Sequence, residues 1–315
     1  MSGARSIGVV VCTASSRRAP QLRACVRSLL SGTRLPDEII VVVDQNPALR
    51  SELSSTVPGC VRLAETARPG LSEARNVGIR ECGSDIVAFV DDDATVEPGW
   101  LGVLLAEFTG GEVVGVGGAV LPRWGAARRW LCDELLWVVG CTYRGHREDP
   151  GPIRNPIGCN MAFRRDALTA VGSFATQFGK RGNALETCDE TELALRIERA
   201  YGPGRIRFAP AARVRHFVPV DRISWRLVLR RSVSEGLSKG RIHRLYRGSA
   251  LLPERAYVRR LLVEAVPRML LGGIARRDRQ LVAGAGAILL SLLVTGGAFM
   301  IGAAVAEVRG RPRGL

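Results

Sequence analysis

Two short runs of apolar, β-branched residues, Ile7 to Cys12 and Glu38 to Val43, flank a stretch in which Leu22, Val26, Leu29 and Leu30 recur at helical spacing. The pattern predicts strand, helix, strand. A third run, Val61 to Ala64, is followed by the loop Arg68-Pro69-Gly70, after which Ser72 is placed to cap a helix reaching about Cys82. Ile86 to Val90 is an uninterrupted apolar strand that runs directly into Asp91-Asp92-Asp93. Continuous apolar strands alternating with helices predict an α/β fold: a mostly parallel central sheet with both faces covered. Ligands of such sheets gather beyond the carboxyl ends of the strands. Thr13, Asp44 and the three aspartates all follow strand ends, so they are expected along one rim.

Val113 to Val120 predicts another strand, and from Pro122 to Pro156 the pattern loosens into loop and partial helix rich in Trp, Arg and Gly. Order returns at Gly158 to Arg164, in a helix near Asp189 to Tyr201, and in two strands, Ile206 to Ala209 and Val214 to Val218. Arg222 to Arg247 reads as a basic amphipathic helix suited to a membrane surface. Leu281 to Val308 is almost entirely uncharged and apolar over 28 residues, roughly 42 Å of helix against a hydrocarbon core of about 30 Å. One tilted crossing is the first expectation, and a re-entrant hairpin broken at Gly296-Gly297 is the alternative. Arginines flank both ends, so charge does not set an orientation. The expected division is a catalytic domain over 1–220, a basic helical region over 221–280, a membrane helix over 281–308 and a basic tail over 309–315.

The chain has 315 residues and a formal net charge of +15. Arg213 to Arg279 carries 17 Arg/Lys against five Asp/Glu. Such a block suits nucleic acid, phosphorylated substrates or anionic lipid; the adjoining apolar segment favours the lipid surface, and no nucleic-acid recognition motif is present. Eight cysteines stand singly, with none at two-residue spacing, which signals neither a zinc site nor a disulfide framework. The chain enters its first strand without a cleavable apolar leader, and the catalytic part is expected to face the cytosol at the cytoplasmic membrane.

Asp91 and Asp93 are one residue apart in a turn, where hard oxygen ligands suit a divalent cation such as Mg²⁺ or Mn²⁺; a solvated acidic turn is the plainer alternative. Asp189 and Glu190 open a helix, where the dipole favours acids, and a carboxylate there can also accept a proton. His216 is one of three histidines and a candidate third ligand.

The blocks VVVCTASSR, EIIVVVD, PGLSEARNVGIR, the strand with DDD, GCNMAFRR, DETELALR and VRHFVP follow one another in an order that resembles the family 2 glycosyltransferases with the GT-A fold. The resemblance covers roughly Ile7 to Gly240. It implies transfer of a sugar from a nucleoside diphosphate sugar to an acceptor hydroxyl with inversion, the acceptor being a lipid, a glycan or a metabolite. It places Thr13 and Asp44 at the nucleoside and Arg75 at the base or diphosphate. Asp91 and Asp92 would face the ribose and the sugar or diphosphate, Asp93 would hold the metal with help from His216, and Asn160 would lie by the donor sugar and acceptor. Glu190 matches the position of the catalytic base, with Asp189 as backup because the order of the acidic pair is reversed. A non-catalytic membrane-bound partner of a glycan assembly complex is the competing reading.

Overall fold

The computed structural model describes residues 5–128, 130–179, 187–246 and 251–305. β1 (Ile7–Thr13), α1 (Ala19–Leu30), β2 (Glu38–Val43), α2 (Pro47–Thr56), β3 (Val61–Glu65), α3 (Leu71–Glu81) and β4 (Ile86–Asp91) form the alternating half. β1, β2 and β4 have almost wholly buried residues, which is why their sequences are apolar without alternation. Gly78 of α3 lies so close to Val10 that a Cβ would overlap it, and this lets the helix settle on β1.

β5 (Ala94–Val96), α4 (Trp100–Glu107), β6 (Gly115–Trp124), β7 (Gly151–Pro152), β8 (Asn160–Arg164), α5 (Arg165–Ala170), α6 (Asp189–Tyr201) and β9 (Ile206–Val218) follow. The strand order is β3-β2-β1-β4-β8-β6-β9-β5, with β7 paired to β9. β1, β2, β3 and β4 pair in parallel, as the sequence predicts. The expected mostly parallel sheet gives way beyond them to a mixed one, because β8 runs antiparallel to both β4 and β6, and β5 and β7 run antiparallel to β9. β6 and β9 still pair in parallel, across the long connection that holds β8, α5 and α6. Only Asp92 and Asp93 separate β4 from β5, whose places in the sheet lie far apart, so the sheet curls around the two aspartates. The two strands expected over 206–218 are one strand, whose register shifts opposite Gly118 and Ala119.

α7 (Trp225–Tyr246), α8 (Leu252–Arg260), a π-helical turn (Leu261–Ala265), α9 (Val266–Arg276) and α10 (Arg279–Val305) complete the described chain. α10 is continuous through Gly296-Gly297, so the hairpin alternative does not hold. It is the one described helix long and apolar enough to cross a membrane. The helix read from the basic amphipathic stretch is α7, and it packs along its length against α10. Ser232, Ser234, Gly236, Ser238 and Gly240 are buried, side chains at Gly236 or Gly240 would overlap the carbonyls of Thr295 and Phe299, and Ser232 Oγ meets Ser291 Oγ at 2.8 Å. Small residues permit this close backbone approach. Ala285, Ala287 and Ile288 of α10, Val266 and Met269 of α9 and Val228 of α7 join one hydrophobic cluster with β1. The helical region and the sheet thus share a core. The other side of α10 carries a stripe of exposed apolar residues, Val282, Leu289, Leu293 and Met300, beside exposed Leu271 and Ile274 of α9.

Candidate active site

β4 delivers Asp91 to the rim half-exposed, while Asp92 and Asp93 turn into the curl and are buried. Thr13 Oγ1 at the end of β1 donates to Asp92 Oδ2 at 2.7 Å, and Arg18 Nη1 donates to Asp92 Oδ1 at 2.6 Å. Burial pushes the Asp92 carboxyl up to about 6 against the pull of Arg18. The pairing of β5 with β9 sets Ala94 opposite His216, which brings His216 to Asp93 across more than a hundred residues of chain. His216 Nε2 lies 2.9 Å from Asp93 Oδ1, and Arg18 and Arg222 lie 3.2 and 3.8 Å from Oδ2. Burial opposes charge on the imidazole, yet Asp93 raises it to about 10; burial likewise opposes charge on Asp93, whose carboxyl His216 and the two arginines hold well below the usual range.

Asp44, just past β2, accepts from Thr66 Oγ1 at 2.8 Å and from the Gly70 amide at 3.0 Å, which fixes its carboxylate at the rim. Across the rim stands the N-terminus of α6. Asp189 is buried and meets Arg75 Nη1 of α3 at 2.7 Å, and Ser72 Oγ donates to it at 3.2 Å. Ser72 therefore binds across to α6 rather than capping its own helix. Burial opposes the Asp189 charge, but Arg75 outweighs it and lowers the carboxyl. Glu190 makes no ion pair among the described residues: enclosure and the neighbouring Asp189 charge push it up to about 8, against the pull of Arg75. The residue before them, Cys188, has φ +68°, a left-handed conformation costly for a side-chain-bearing residue. Thr187 beside it is held by α7, its amide donating to Ser238 Oγ at 3.1 Å.

One cavity of about 2070 Å³ unites these groups. Thr13, Arg18, Asp44, Arg75, Asp91, Asp92, Asp93, Asp189, Glu190 and His216 all line it. Drug-sized pockets run to roughly 1,000 Å³ at most, so this one has room for two substrates. Asn160, expected by the donor sugar, is not on its wall. Its fully buried amide donates to the carbonyls of Ala119 and Ala212 and accepts from Trp100 Nε1, tying β8 to β6 and β9 at the register shift. Arg18 and Arg222, which the sequence reading passed over, sit beside the aspartates; their positions shortly after the ends of β1 and β9 are the signal that finds them. A second group was also missed. Lys239 bridges Glu235 at 3.0 Å and Glu254 at 2.6 Å, and Arg154 meets Glu254 at 2.6 Å, joining α7, α8 and the segment after β7 on the cavity wall. Only the Glu235–Lys239 spacing was legible in sequence.

The residues present fit a hard divalent cation. Asp93 Oδ1 is buried with no aligned hydrogen-bond donor, and Asp91 and His216 bring ligand atoms within 4.8 Å of each other and of Cys159. Burial pushes the Cys159 thiol far up, and the carboxylate oxygens are the donors that suit Mg²⁺ or Mn²⁺, with the imidazole a softer third.

The family model described as Glycosyl transferase family 2 matches residues 7–172. A glucosyl-dolichyl phosphate glucuronosyltransferase of Haloferax volcanii is 32% identical over 84% of this chain and 85% of its own. The succinoglycan biosynthesis protein ExoM of Rhizobium meliloti is 29% identical over 75% of this chain and 74% of its own. Among solved structures, a mannosyltransferase of Pyrobaculum calidifontis in complex with GDP-Man and Mn²⁺ superimposes with a TM-score of 0.59 at 17% identity, covering 99% of this chain and 89% of that one. The fold is that of the GT-A enzymes, and the chain is a glycosyltransferase belonging to glycosyl transferase family 2.

Proposed function

We propose that the enzyme transfers a sugar from a nucleoside diphosphate sugar to an acceptor hydroxyl in one displacement with inversion, and that Glu190 is the base. The observation that carries this reading is the division of labour between two adjacent acids on the cavity wall. Asp189 is paired with Arg75 at 2.7 Å, while Glu190 makes no ion pair among the described residues and is pushed up to about 8 by enclosure and the Asp189 charge, against the pull of Arg75. The acceptor hydroxyl gives its proton to Glu190 as its oxygen forms the bond to the anomeric carbon. The bond from that carbon to the diphosphate breaks on the opposite face. Thr13, Asp44 and Arg75 would hold the nucleoside side of the donor, and Arg18 and Arg222 the diphosphate. A divalent cation held by Asp91, Asp93 and His216 would supply further positive charge to the leaving diphosphate.

The membrane setting of this reading is the apolar stripe of α10 and α9. α7 runs beside residues 291–303 of α10 and carries Arg230, Arg231, Glu235, Lys239, Arg241 and Arg244. Ionised side chains at bilayer depth cost several kcal/mol each, about 2.5–3.5 on insertion scales. That favours a helix embedded by one face over a full crossing, with the catalytic cavity on the cytosolic side. The eight cysteines are free, as suits a reducing compartment. The Haloferax relative, a glucosyl-dolichyl phosphate glucuronosyltransferase, supports the same setting.

The test is a panel of nucleoside diphosphate sugars offered to full-length detergent-purified protein with and without Mn²⁺, alongside Asp93→Ala and Glu190→Gln. Metal-dependent binding of one donor, weakened by Asp93→Ala and retained by Glu190→Gln, is the expected result. Donor binding with no turnover on any acceptor would favour a non-catalytic partner of a glycan assembly complex.

A further inference from the structure

We propose that Asp91, Cys159 and His216 form a site for a thiophilic divalent cation of the Zn²⁺ class, and that such an ion excludes Mg²⁺ or Mn²⁺ from the donor site. The exclusion rests on the metal site proposed above at Asp91, Asp93 and His216; the thiophilic site itself rests on geometry alone.

Backbone pairing brings these groups together. β8 runs antiparallel to β4 with Asn160 opposite Val90, so the next step along the ladder sets Cys159 opposite Asp91. The turn in which the Asn160 amide donates to the Ile157 carbonyl at 2.9 Å holds Cys159 there. The pairing of Ala94 with His216 places the imidazole beside Asp93, at the same end of β4. The carboxylate, thiol and imidazole offer ligand atoms that all lie within 4.8 Å of one another, and no other such group of three occurs among the described residues. Metal bonds of about 2.0–2.3 Å let one ion span roughly 4.6 Å between two ligands, so small side-chain movements bring all three onto it. Cys159 and His216 are buried and Asp91 stands half-exposed at the rim. All three line the cavity, so an ion reaches them from that side.

Ligand chemistry selects the ion. Mg²⁺ takes oxygen ligands and gains nothing from sulfur, whereas a thiolate with imidazole and a carboxylate is a donor set of Zn²⁺. At a site of nitrogen, oxygen and sulfur ligands Zn²⁺ also outranks Mn²⁺ in affinity. A second cysteine orients the imidazole: Cys141 Sγ faces His216 Nδ1 at 3.8 Å, which leaves Nε2, on the Asp93 side, as the ligand atom. As the sulfur–metal bond forms, the Cys159 thiol proton passes to water. Three protein ligands leave a fourth position open toward the cavity. A Zn²⁺ ion would therefore be the tighter occupant of the place proposed for a harder one.

The test uses full-length protein in detergent, stripped with chelator, and Cd²⁺, Zn²⁺ and Mn²⁺ as probes. Cd²⁺ is expected to give an ultraviolet sulfur-to-metal charge-transfer band that Cys159→Ser and Cys159→Ala remove and that Cys60→Ser, at the exposed cysteine, leaves in place. Zn²⁺ is expected to release bound Mn²⁺, read as free Mn²⁺ by electron paramagnetic resonance. Cys159→Ser should weaken Zn²⁺ binding by at least about 10–100-fold, the loss that even an outer-shell partner costs. Mn²⁺ binding and the unfolding midpoint should hold in the same variant, which shows it folded. A band that survives both Cys159 variants, or Zn²⁺ affinity equal with and without the thiol, overturns the inference. Mn²⁺-dependent binding of UDP and GDP is measured on the same preparation. Cys159-dependent Zn²⁺ binding without Mn²⁺-dependent nucleotide binding keeps the thiophilic site and overturns the proposed donor site; nucleotide binding with Zn²⁺ indifferent to Cys159 does the reverse.

Discussion

Glu190 and Asp189 are neighbours on one helical turn and differ in what faces them. Because enclosure and the Asp189 charge raise Glu190 from 4.5 to about 8, the proposed base becomes competent as pH rises through that value. Turnover is expected to climb between pH 6 and about 8 and then level, and Glu190→Gln to lower it by about 10²–10⁴; initial rates across pH check both. The stability effect has the opposite sign. A carboxyl that binds its proton more tightly when folded loses stability as pH rises from its unfolded value to its folded one. Asp189 and Arg75 are each nearly fully buried, and removing one partner leaves the other uncompensated. Asp189→Asn is expected to cost about 3–5 kcal/mol, read from the unfolding midpoint, with less cost when Arg75 and Asp189 are both replaced by leucine. Asn160→Ala strands the carbonyls of Ala119 and Ala212, so it should lower the midpoint by about 1–3 kcal/mol of stability while nucleotide Kd stays unchanged. A fall in nucleotide affinity without loss of stability would return Asn160 to the donor site.

At the scale of elements, α7 and α10 act as a pair because glycine and serine let their backbones touch. Gly240→Leu would press a side chain into the Phe299 carbonyl, and Gly302→Leu would do the same against Leu237. Either is expected to cost about 1–3 kcal/mol or to part the helices, visible as a lower unfolding midpoint in detergent. Because Ser238 of α7 accepts from the Thr187 amide just before the proposed base, parting the helices should also lower turnover more than nucleotide binding. Helical periodicity in the basic stretch was legible from sequence. Its partner was not, because a stripe of Ser and Gly carries no hydrophobic signal.

For the whole molecule, the shared core has a direct consequence. A chain ending at Asp278 would uncover Val228 and the small-residue face of α7, and size-exclusion chromatography is expected to show aggregate rather than a soluble catalytic domain. Leu293→Glu together with Ile274→Glu leaves that core intact and charges the exposed stripe. Co-sedimentation with anionic vesicles should fall for this variant while the unfolding midpoint holds.

The apolar strands β1, β2 and β4, the intervening helices, the start of α6 at Asp189 and the run of α10 follow from local pattern, because burial on both faces or on one writes itself as a period in the chain. The rim residues Thr13, Asp44 and Asp91 were found the same way, since a strand end is local. The mixed half of the sheet was decided by tertiary structure: two residues between β4 and β5 cannot form a crossover, so the chain had to join β9 and bring His216 to Asp93. Which of two adjacent acids is ion-paired was decided there too, by an arginine on α3 more than a hundred residues away. So was the commitment of Asn160 to three backbone and side-chain partners. These depend on which distant groups meet inside a low-dielectric interior, and nothing in the local sequence of either partner records the meeting.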